Sequence, residues 1–321
     1  MTVANGVSAC NVQTGERTYQ FRALTDLWTG DLKGEQNRLI TTGLLGSIRW
    51  WFEVLVRGLG GNACDPTDTQ CENRNHCVVC ELFGCTGWAR KFRFEVLDEN
   101  CDIKTNQIER ENIFNLRFTP LRPIRVEEWG LLAATLFLIS EYGAMGGKTG
   151  LKPTDESKRA GKMHHKDYGL VQICSSLQFA EIHRDGLEKY MSKWRKVNHG
   201  EFAWASLQHF WWVNGKYLGR KDNDKSTFNR VLGRQEAKKQ GKYLVNHKDE
   251  KARWLAGSQR ESKKVFSFKD HARTFGFVKP GLIDFDAVKR RLTSAWGQKG
   301  WDFITGDKII DQLFAEKEDR T

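Results

Sequence analysis

The sequence predicts an α+β fold built on an antiparallel sheet, and three observations support this prediction. The segments read in the order strand, loop, helix, strand and then strand, helix, strand, which is typical of helices packed on an antiparallel sheet. Residues 48–59 repeat apolar side chains at helical spacing, whereas residues 91–97 alternate as a half-buried strand does. The 12 Trp and 19 Phe among 321 residues indicate a folded protein of about two domains. The order of segments leaves open a duplication of the sheet.

Local patterns predict the elements of the first half. A first strand is expected over residues 18–29, which alternate loosely and hold β-branched and aromatic side chains. A helix is expected to begin at Ser47, whose hydroxyl suits an N-cap, and to continue to Leu59. The remaining predictions are a strand over 91–97, an extended stretch over 113–125, a helix over 127–142 and a strand over 168–173.

The second half is more basic and has weaker patterns. Strands are predicted over 263–268 and 274–278, and a final helix over 284–296. Residues 216–253 hold twelve Lys or Arg against five Asp or Glu, and such a run is more often a solvated, mobile surface than a dedicated RNA arm. We therefore expect a first domain over 1–175 and a more helical, basic second domain over 176–321.

The charge of the chain favours a polyanionic partner. Lys and Arg outnumber Asp and Glu by 51 to 40, a net charge of +11, and cations of this kind release counterions from phosphates. The same charge also suits plain solubility. The longest apolar run, residues 130–139, is about half of the ~20 residues that span a bilayer, and the N-terminus lacks the pattern of an export signal. A cytoplasmic protein without a membrane partner is expected.

Five of the eight cysteines fall between residues 64 and 85, namely Cys64, Cys71, Cys77, Cys80 and Cys85. Two thiolates separated by two residues can bind one tetrahedral ion, and Cys77 and Cys80 have that spacing. A second, looser pair would supply the other ligands, so the cluster predicts one structural Zn²⁺ that holds a loop too polar to form a core. A group of buried free thiols is the alternative.

A glycine cluster at residues 143–150 ends in Gly147-Lys148-Thr149, which imitates a P-loop. A P-loop needs an earlier glycine where this chain has Tyr142, and it follows a strand rather than a helix. Nucleotide hydrolysis is therefore excluded. Two interpretations stay open: the glycines let the backbone approach a ligand, with Lys148 and Lys152 near phosphates, or they end a helix and begin a hairpin.

Several stretches together resemble one family: LTDLWTGDLKG (24–34), TTGLLGSIRWWFEVLVRGLGG (41–61), CVVCELFGCTGWARKFRF (77–94) and EYGAMGGKTGLKP (141–153). They are similar to the RAMP superfamily of CRISPR effector proteins, and within it to the subunit at the end of the type III-B complex that carries the 3′ end of the guide. The resemblance covers residues 18–175, and beyond them RESKKVFSF (260–268) is also similar.

The resemblance implies a ferredoxin-like (RRM-like) RAMP fold, usually duplicated, here with a zinc-binding insertion at residues 60–87. It implies binding of guide RNA and target RNA inside an antiviral ribonucleoprotein, with other RAMP subunits as partners in a prokaryotic cytoplasm. Arg49, at the start of the predicted helix, is then expected to face phosphate. The full set of implied RNA-binding residues is Trp28, Lys33, Ser47, Arg49, Lys148, Thr149, Lys152 and Lys263.

Two departures from the family pattern bear on chemistry. Cys85 stands where the family often has Ser, which leaves Cys64, Cys71, Cys77 and Cys80 as the expected zinc ligands and His76 as a lesser alternative. Subunits that cut RNA carry an Asp in the loop after the first strand. Asp26 and Asp31 lie near that loop, but their surroundings resemble a noncutting subunit. We expect a noncatalytic protein; an endoribonuclease using Asp31 or Asp26, and a zinc-stabilised interaction module, are the alternatives.

Overall fold

The computed structural model consists of two compact units that interleave along the chain. The first unit comprises residues 1–52, 62–147 and 169–198, and the second comprises 53–61, 148–168 and 199–321. This partition differs from the single boundary expected at residue 175. The residues that the structure describes are 15–30, 38–65, 71–147, 149, 153–176, 183–221, 226–233, 238–239, 242–243, 249–257 and 261–314.

The first unit contains a complete ferredoxin-like βαββαβ arrangement. Its elements are β1 (Arg17–Ala23), α1 (Thr41–Gly58), α2 (Val78–Phe83), β2 (Phe92–Leu97), β3 (Ile113–Pro120), α3 (Val126–Glu141), β4 (Val171–Ile173) and α4 (Arg184–Met191). The sheet order is β2-β3-β1-β4, and all neighbours are antiparallel. The last turns of α1 belong to the second unit. The cysteine-rich segment and α2 form an insertion between α1 and β2.

Alternation along the strands fixes the inner face of this first sheet. Tyr19, Phe21 and Ala23 of β1 are buried, whereas Arg22 between them is exposed. Phe21 is paired with Phe114 of β3, and their rings stack with centroids 5.6 Å apart. Helix α3 is buried along most of its length, so this sheet and its helices enclose an apolar core.

Helix α1 begins six residues before the predicted start. Leu44 and Leu45 are buried, and the Leu44 amide donates to the Ile40 carbonyl at 3.1 Å. Leu44 lies one turn before Ile48 and continues the same apolar stripe, so burial extends the helix back through Gly43 and Gly46. The prediction of Ser47 as the N-cap is therefore wrong.

The second unit repeats the βαββαβ order. Its elements are β5 (Phe210–Asn214), α5 (Thr227–Leu232), β6 (Lys238–Lys239), β7 (Lys242–Tyr243), α6 (Glu250–Ala256), β8 (Val265–Phe268), β9 (Arg273–Phe277), α7 (Phe285–Trp296), β10 (Ile304–Thr305) and α8 (Gly306–Phe314). The sheet order β10-β5-β9-β8 matches β4-β1-β3-β2 of the first sheet, and its neighbours are again antiparallel. The α+β fold is thus a duplicated ferredoxin-like fold, as expected.

The basic run at 216–253 is not one solvated surface. Phe228, Val231 and Leu232 of α5 are buried, because α5 packs its apolar side against α7 and α6. Other parts of the run, at residues 222–225, 234–237, 240–241 and 244–248, lie outside the described residues. No helix in the described part of the chain combines the length and apolar character needed to cross a membrane.

Candidate metal centre and glycine-rich junction

Four cysteines of the insertion form a buried cluster. The sulfur atoms of Cys64, Cys71, Cys77 and Cys80 all lie within 4.8 Å of one another. The Cys64 and Cys80 sulfurs are 3.4 Å apart, and the Cys77 amide donates to the Cys71 sulfur at 3.3 Å. Cys77 and Cys80 are brought to the same side by α2, which begins directly after Cys77. The structure therefore assembles the four cysteines that the sequence selects.

The donor set of this cluster fits a structural metal ion. Zn–S bonds of about 2.3 Å in a tetrahedron place sulfur atoms about 3.8 Å apart, which agrees with the observed spacing. Hydrogen bonds from the thiols of Cys64, Cys71 and Cys80 hold the pKa of Cys77 far below its usual range. The hydrogen bond with Cys77 is the largest cause that raises the pKa of Cys64, to about 11. Four soft, buried sulfur donors with no open position suit Zn²⁺ in a structural role.

Neither Cys85 nor His76 joins the cluster in the described structure. Cys85 is half-buried and lies outside the group of four sulfurs. Both ring nitrogens of His76 have other partners: Nε2 is 2.8 Å from Glu81 Oε2, and Nδ1 contacts the Asn73 carbonyl. The ring also stacks near Trp194. His76 is thus a packed, hydrogen-bonded residue beside the cluster rather than a fifth ligand.

A buried ion network fastens the insertion to the ferredoxin-like core. The Lys91 ammonium lies 2.5 Å from Glu81 Oε1 and 2.8 Å from Glu128 Oε1. Tyr190 also donates its hydroxyl to Glu128, at 2.8 Å. Glu81, Glu128 and Tyr190 belong to α2, α3 and α4, and Lys91 directly precedes β2. Because an unpaired buried charge is costly, the network holds these four elements in one arrangement.

Arg49 contacts the cysteine cluster instead of a solvent-facing helix start. Its guanidinium donates to the Gly84 carbonyl at 3.0 Å and to the Cys80 sulfur at 3.4 Å. Helix α1 begins at Thr41, so Arg49 lies well inside the helix, on the side of the insertion. The expectation that Arg49 lies at a helix N-terminus is therefore wrong.

The glycine-rich loop after α3 approaches its own chain closely. A Cβ on Gly143 would lie 2.5 Å from the Trp51 ring, and one on Gly147 would lie 2.9 Å from the Thr29 carbonyl oxygen. Gly146 has φ +117°, and a Cβ there would meet the Trp28 carbonyl oxygen at 3.0 Å. The Gly147 amide donates to that carbonyl at 2.8 Å. Among the described glycines, Gly143 is thus required by packing on Trp51 of α1, and Gly146 and Gly147 by packing on the loop after β1.

Ser47 and Trp28 are parts of this junction. The Ser47 hydroxyl accepts a hydrogen bond from the Gly146 amide at 3.0 Å, so α1 holds the glycine loop in place. Trp28 is only 5% exposed. A ring this deeply buried offers little surface on which a base could stack, so Trp28 packs within the junction, as Ser47 does through its hydrogen bond.

The structure describes only some of the remaining residues that the sequence predicts to be catalytic or RNA-binding. The Asp26 carboxylate accepts from the Arg110 amide at 2.9 Å, and the Asp26 carbonyl accepts from the Gly169 amide at 2.9 Å. Thr149 and Lys263 are both half-buried. The other four predicted positions, Asp31, Lys33, Lys148 and Lys152, lie outside the described residues.

Sequence reasoning missed two features of this region. The sequence only weakly indicated the contact of Arg49 with Cys80. Arg49, Glu53 and Arg57 share one polar helix face, but the pattern does not say what that face contacts. The pairing of Lys91 with Glu128 had none, since 37 positions separate the two residues. Such a contact follows from the fold alone.

A comparison with protein families gives one match. Residues 20–151, from β1 through the glycine-rich loop, match the family model of the RAMP superfamily. No curated protein matches the chain.

Two solved structures show a weak similarity to the chain. One is apo Cmr1 from Pyrococcus furiosus, with 11% identity, a TM-score of 0.44 and coverage of 91% of this chain and 99% of that one. The other is the Csm3-Csm4 subcomplex in the type III-A CRISPR-Cas interference complex, with 12% identity, a TM-score of 0.25 and coverage of 49% and 73%. Similarity at this level assigns neither protein's activity to this chain.

Proposed function

We propose that this chain is a noncatalytic, RNA-binding subunit of a type III CRISPR antiviral ribonucleoprotein, with one structural Zn²⁺ on its four clustered cysteines. The observation that carries the proposal is the RAMP match over residues 20–151, which includes the first three motifs of the sequence resemblance and most of the fourth. Within that superfamily the motifs are most like those of the first Cmr subunit of type III-B complexes. Its partners are guide RNA, target RNA and other RAMP subunits.

The charge of the chain supports RNA binding. A net charge of +11 favours a partner whose phosphates release counterions, and the glycine-rich junction is continued in sequence by Lys148 and Lys152. With Trp28, Ser47 and Arg49 engaged in packing, the proposed RNA contacts from the sequence are Lys33, Lys148, Thr149, Lys152 and Lys263.

The position of Asp26 supports a noncatalytic role. A general base for attack by a 2′-hydroxyl must reach that hydroxyl, whereas the Asp26 carboxylate already accepts from the amide of Arg110, 84 positions further along the chain in the segment before β3. In the assembled complex, Asp26→Ala and Asp31→Ala should leave every target cleavage site in place. The loss of one specific site at unchanged RNA affinity would instead identify an endoribonuclease.

RNA binding is tested directly with the purified full chain and a labelled single-stranded RNA. The logarithm of the binding constant should fall linearly with the logarithm of salt concentration, and Lys148→Ala with Lys152→Ala should flatten that slope by about one unit at ~0.7 per contact. Lys308→Ala with Lys189→Ala, two exposed lysines on α8 and α4, removes the same charge as a control. A chain that binds no RNA at low salt would overturn the proposal.

A further inference from the structure

A basic segment of the second unit follows the glycine-rich loop. Residues 157–166, here called the basic strap, hold no Asp or Glu. Their cationic and titratable side chains are Lys158, Arg159, Lys162, His164, His165 and Lys166. Two short 3₁₀ turns, Ser157–Arg159 and Met163–His165, shape the strap, and Gly161 lies between them with φ +78°. Lys158, Lys162 and Lys166 are exposed.

Two residues that flank the strap, Asp155 and Asp167, both form hydrogen bonds with Lys269, which directly follows β8. At the first end, Asp155 Oδ1 accepts from the Lys269 ammonium at 2.8 Å and from the Tyr217 hydroxyl at 2.9 Å. At the second end, Asp167 Oδ2 accepts from the backbone amides of Lys269 at 2.6 Å and Asp270 at 2.7 Å. The strap is therefore a loop that is held on both sides by carboxylates bonded to residues 269 and 270.

Backbone contacts reinforce the first end. The Arg220 amide donates to the Pro153 carbonyl at 2.7 Å, and the Asp155 amide donates to the Arg220 carbonyl at 3.0 Å. Arg159 is held inside the strap by an ion pair with Glu156 at 2.7 Å. A loop fixed in this way has already lost conformational entropy on folding, so its exposed cations bind a partner at lower entropic cost.

We propose that the basic strap is a binding surface for the phosphate backbone of RNA, with Lys158, Lys162 and Lys166 as the contacting cations. The inference rests on the proposed function for its choice of partner. Three exposed ammonium groups without a carboxylate among them suit successive phosphates, which carry one charge each. Of the carboxylates that flank the strap, Asp155 and Asp167 bind Lys269, and Glu156 pairs with Arg159.

The first test replaces the three lysines in the full chain. Lys158→Ala, Lys162→Ala and Lys166→Ala together should reduce the salt slope for a labelled single-stranded RNA by about two units, at ~0.7 per contact. A control with the same charge change replaces three exposed lysines elsewhere: Lys189→Ala, Lys251→Ala and Lys308→Ala. If both triple variants bind RNA equally, the strap inference fails while the proposed function stands. If the parent chain binds no RNA, both fail.

The second test separates a built site from general attraction between opposite charges. Asp155→Ala releases one end of the strap and makes the chain more positive, so charge alone would strengthen RNA binding. The strap account predicts weaker binding, by about threefold or more at moderate salt. Asp185→Ala removes an exposed carboxylate on α4 and should not weaken binding. Tighter binding by the Asp155 variant, at an unchanged melting temperature, would contradict the inference, as would equal competition by polyglutamate and RNA.

Discussion

Arg49 donates a hydrogen bond from its guanidinium to the sulfur of Cys80, at 3.4 Å. The contact joins the long helix of the first unit to the cysteine cluster of the insertion. Four thiolates around one Zn²⁺ leave a net charge of −2, and a cation that donates to one of the sulfurs offsets part of that charge. The residue that the sequence assigned to RNA thus contacts the cysteine cluster in this structure.

Arg49→Ala should weaken metal binding without removing it. Loss of a partner that orients a ligand typically reduces metal affinity by about 10–100-fold, and Arg49→Lys should recover part of the loss. The measurement is competition for Zn²⁺ against a chromophoric chelator. Arg93→Ala, an exposed arginine of β2, is the control. Equal zinc affinities for the Arg49 and Arg93 variants would show that the contact is incidental.

Removal of a ligand should have a larger effect. Purified protein should contain about one zinc per chain, and Cys77→Ser or Cys80→Ser should lose it and lower the melting temperature, because metal binding and folding are coupled. Cys85→Ser and Cys174→Ser, outside the cluster, should keep the metal. The zinc content is measured by metal analysis after purification without chelator. Protein free of zinc would contradict the proposal that the four cysteines bind Zn²⁺.

Gly143 should not tolerate a side chain. Its Cβ would lie 2.5 Å from the Trp51 ring, whose Nε1 donates to the Ala144 carbonyl at 2.9 Å. Overpacking of this kind costs about 1–3 kcal/mol. Gly186→Ala is the matched control, because a Cβ there meets nothing within 4 Å in helix α4, and it should be neutral or stabilising by up to ~1 kcal/mol. Urea unfolding measures both, and equal stabilities would refute the packing described.

Asp167 should make stability depend on pH. Burial raises the pKa of this carboxyl from 3.8 to about 6, against the opposing hydrogen bonds from the amides of Asp270 and Lys269. The folded chain therefore binds the proton more tightly than the unfolded chain, so the free energy of unfolding should fall as pH rises from about 4 to about 6. Asp167→Asn should remove that decline, whereas Asp185→Asn should not. Parallel curves for parent and Asp167→Asn would contradict the assignment.

Short-range patterns predicted much of this fold. Strands β2, β8 and β9 and helices α3 and α7 lie where periodicity placed them, because each buries a face set by neighbouring residues. The sequence placed the start of α1 too late, because Gly43 and Gly46 are poor helix formers. Leu44, between them, nevertheless continues the apolar side of the helix. The four clustered cysteines could be chosen from sequence, but the contacts of Arg49, Ser47 and Lys91 depend on elements distant in the chain.

We propose above that this chain binds guide RNA inside a type III complex. The identity of the RNA that it contacts in the cell is the most direct test of that proposal. The tagged full chain is cross-linked in its native cells and purified, and the attached RNA is sequenced. The account predicts strong enrichment of guide RNAs transcribed from a repeat array, reduced by the triple lysine variant of the basic strap. Attached RNA with the same composition as that from an unrelated tagged basic protein would contradict the claim.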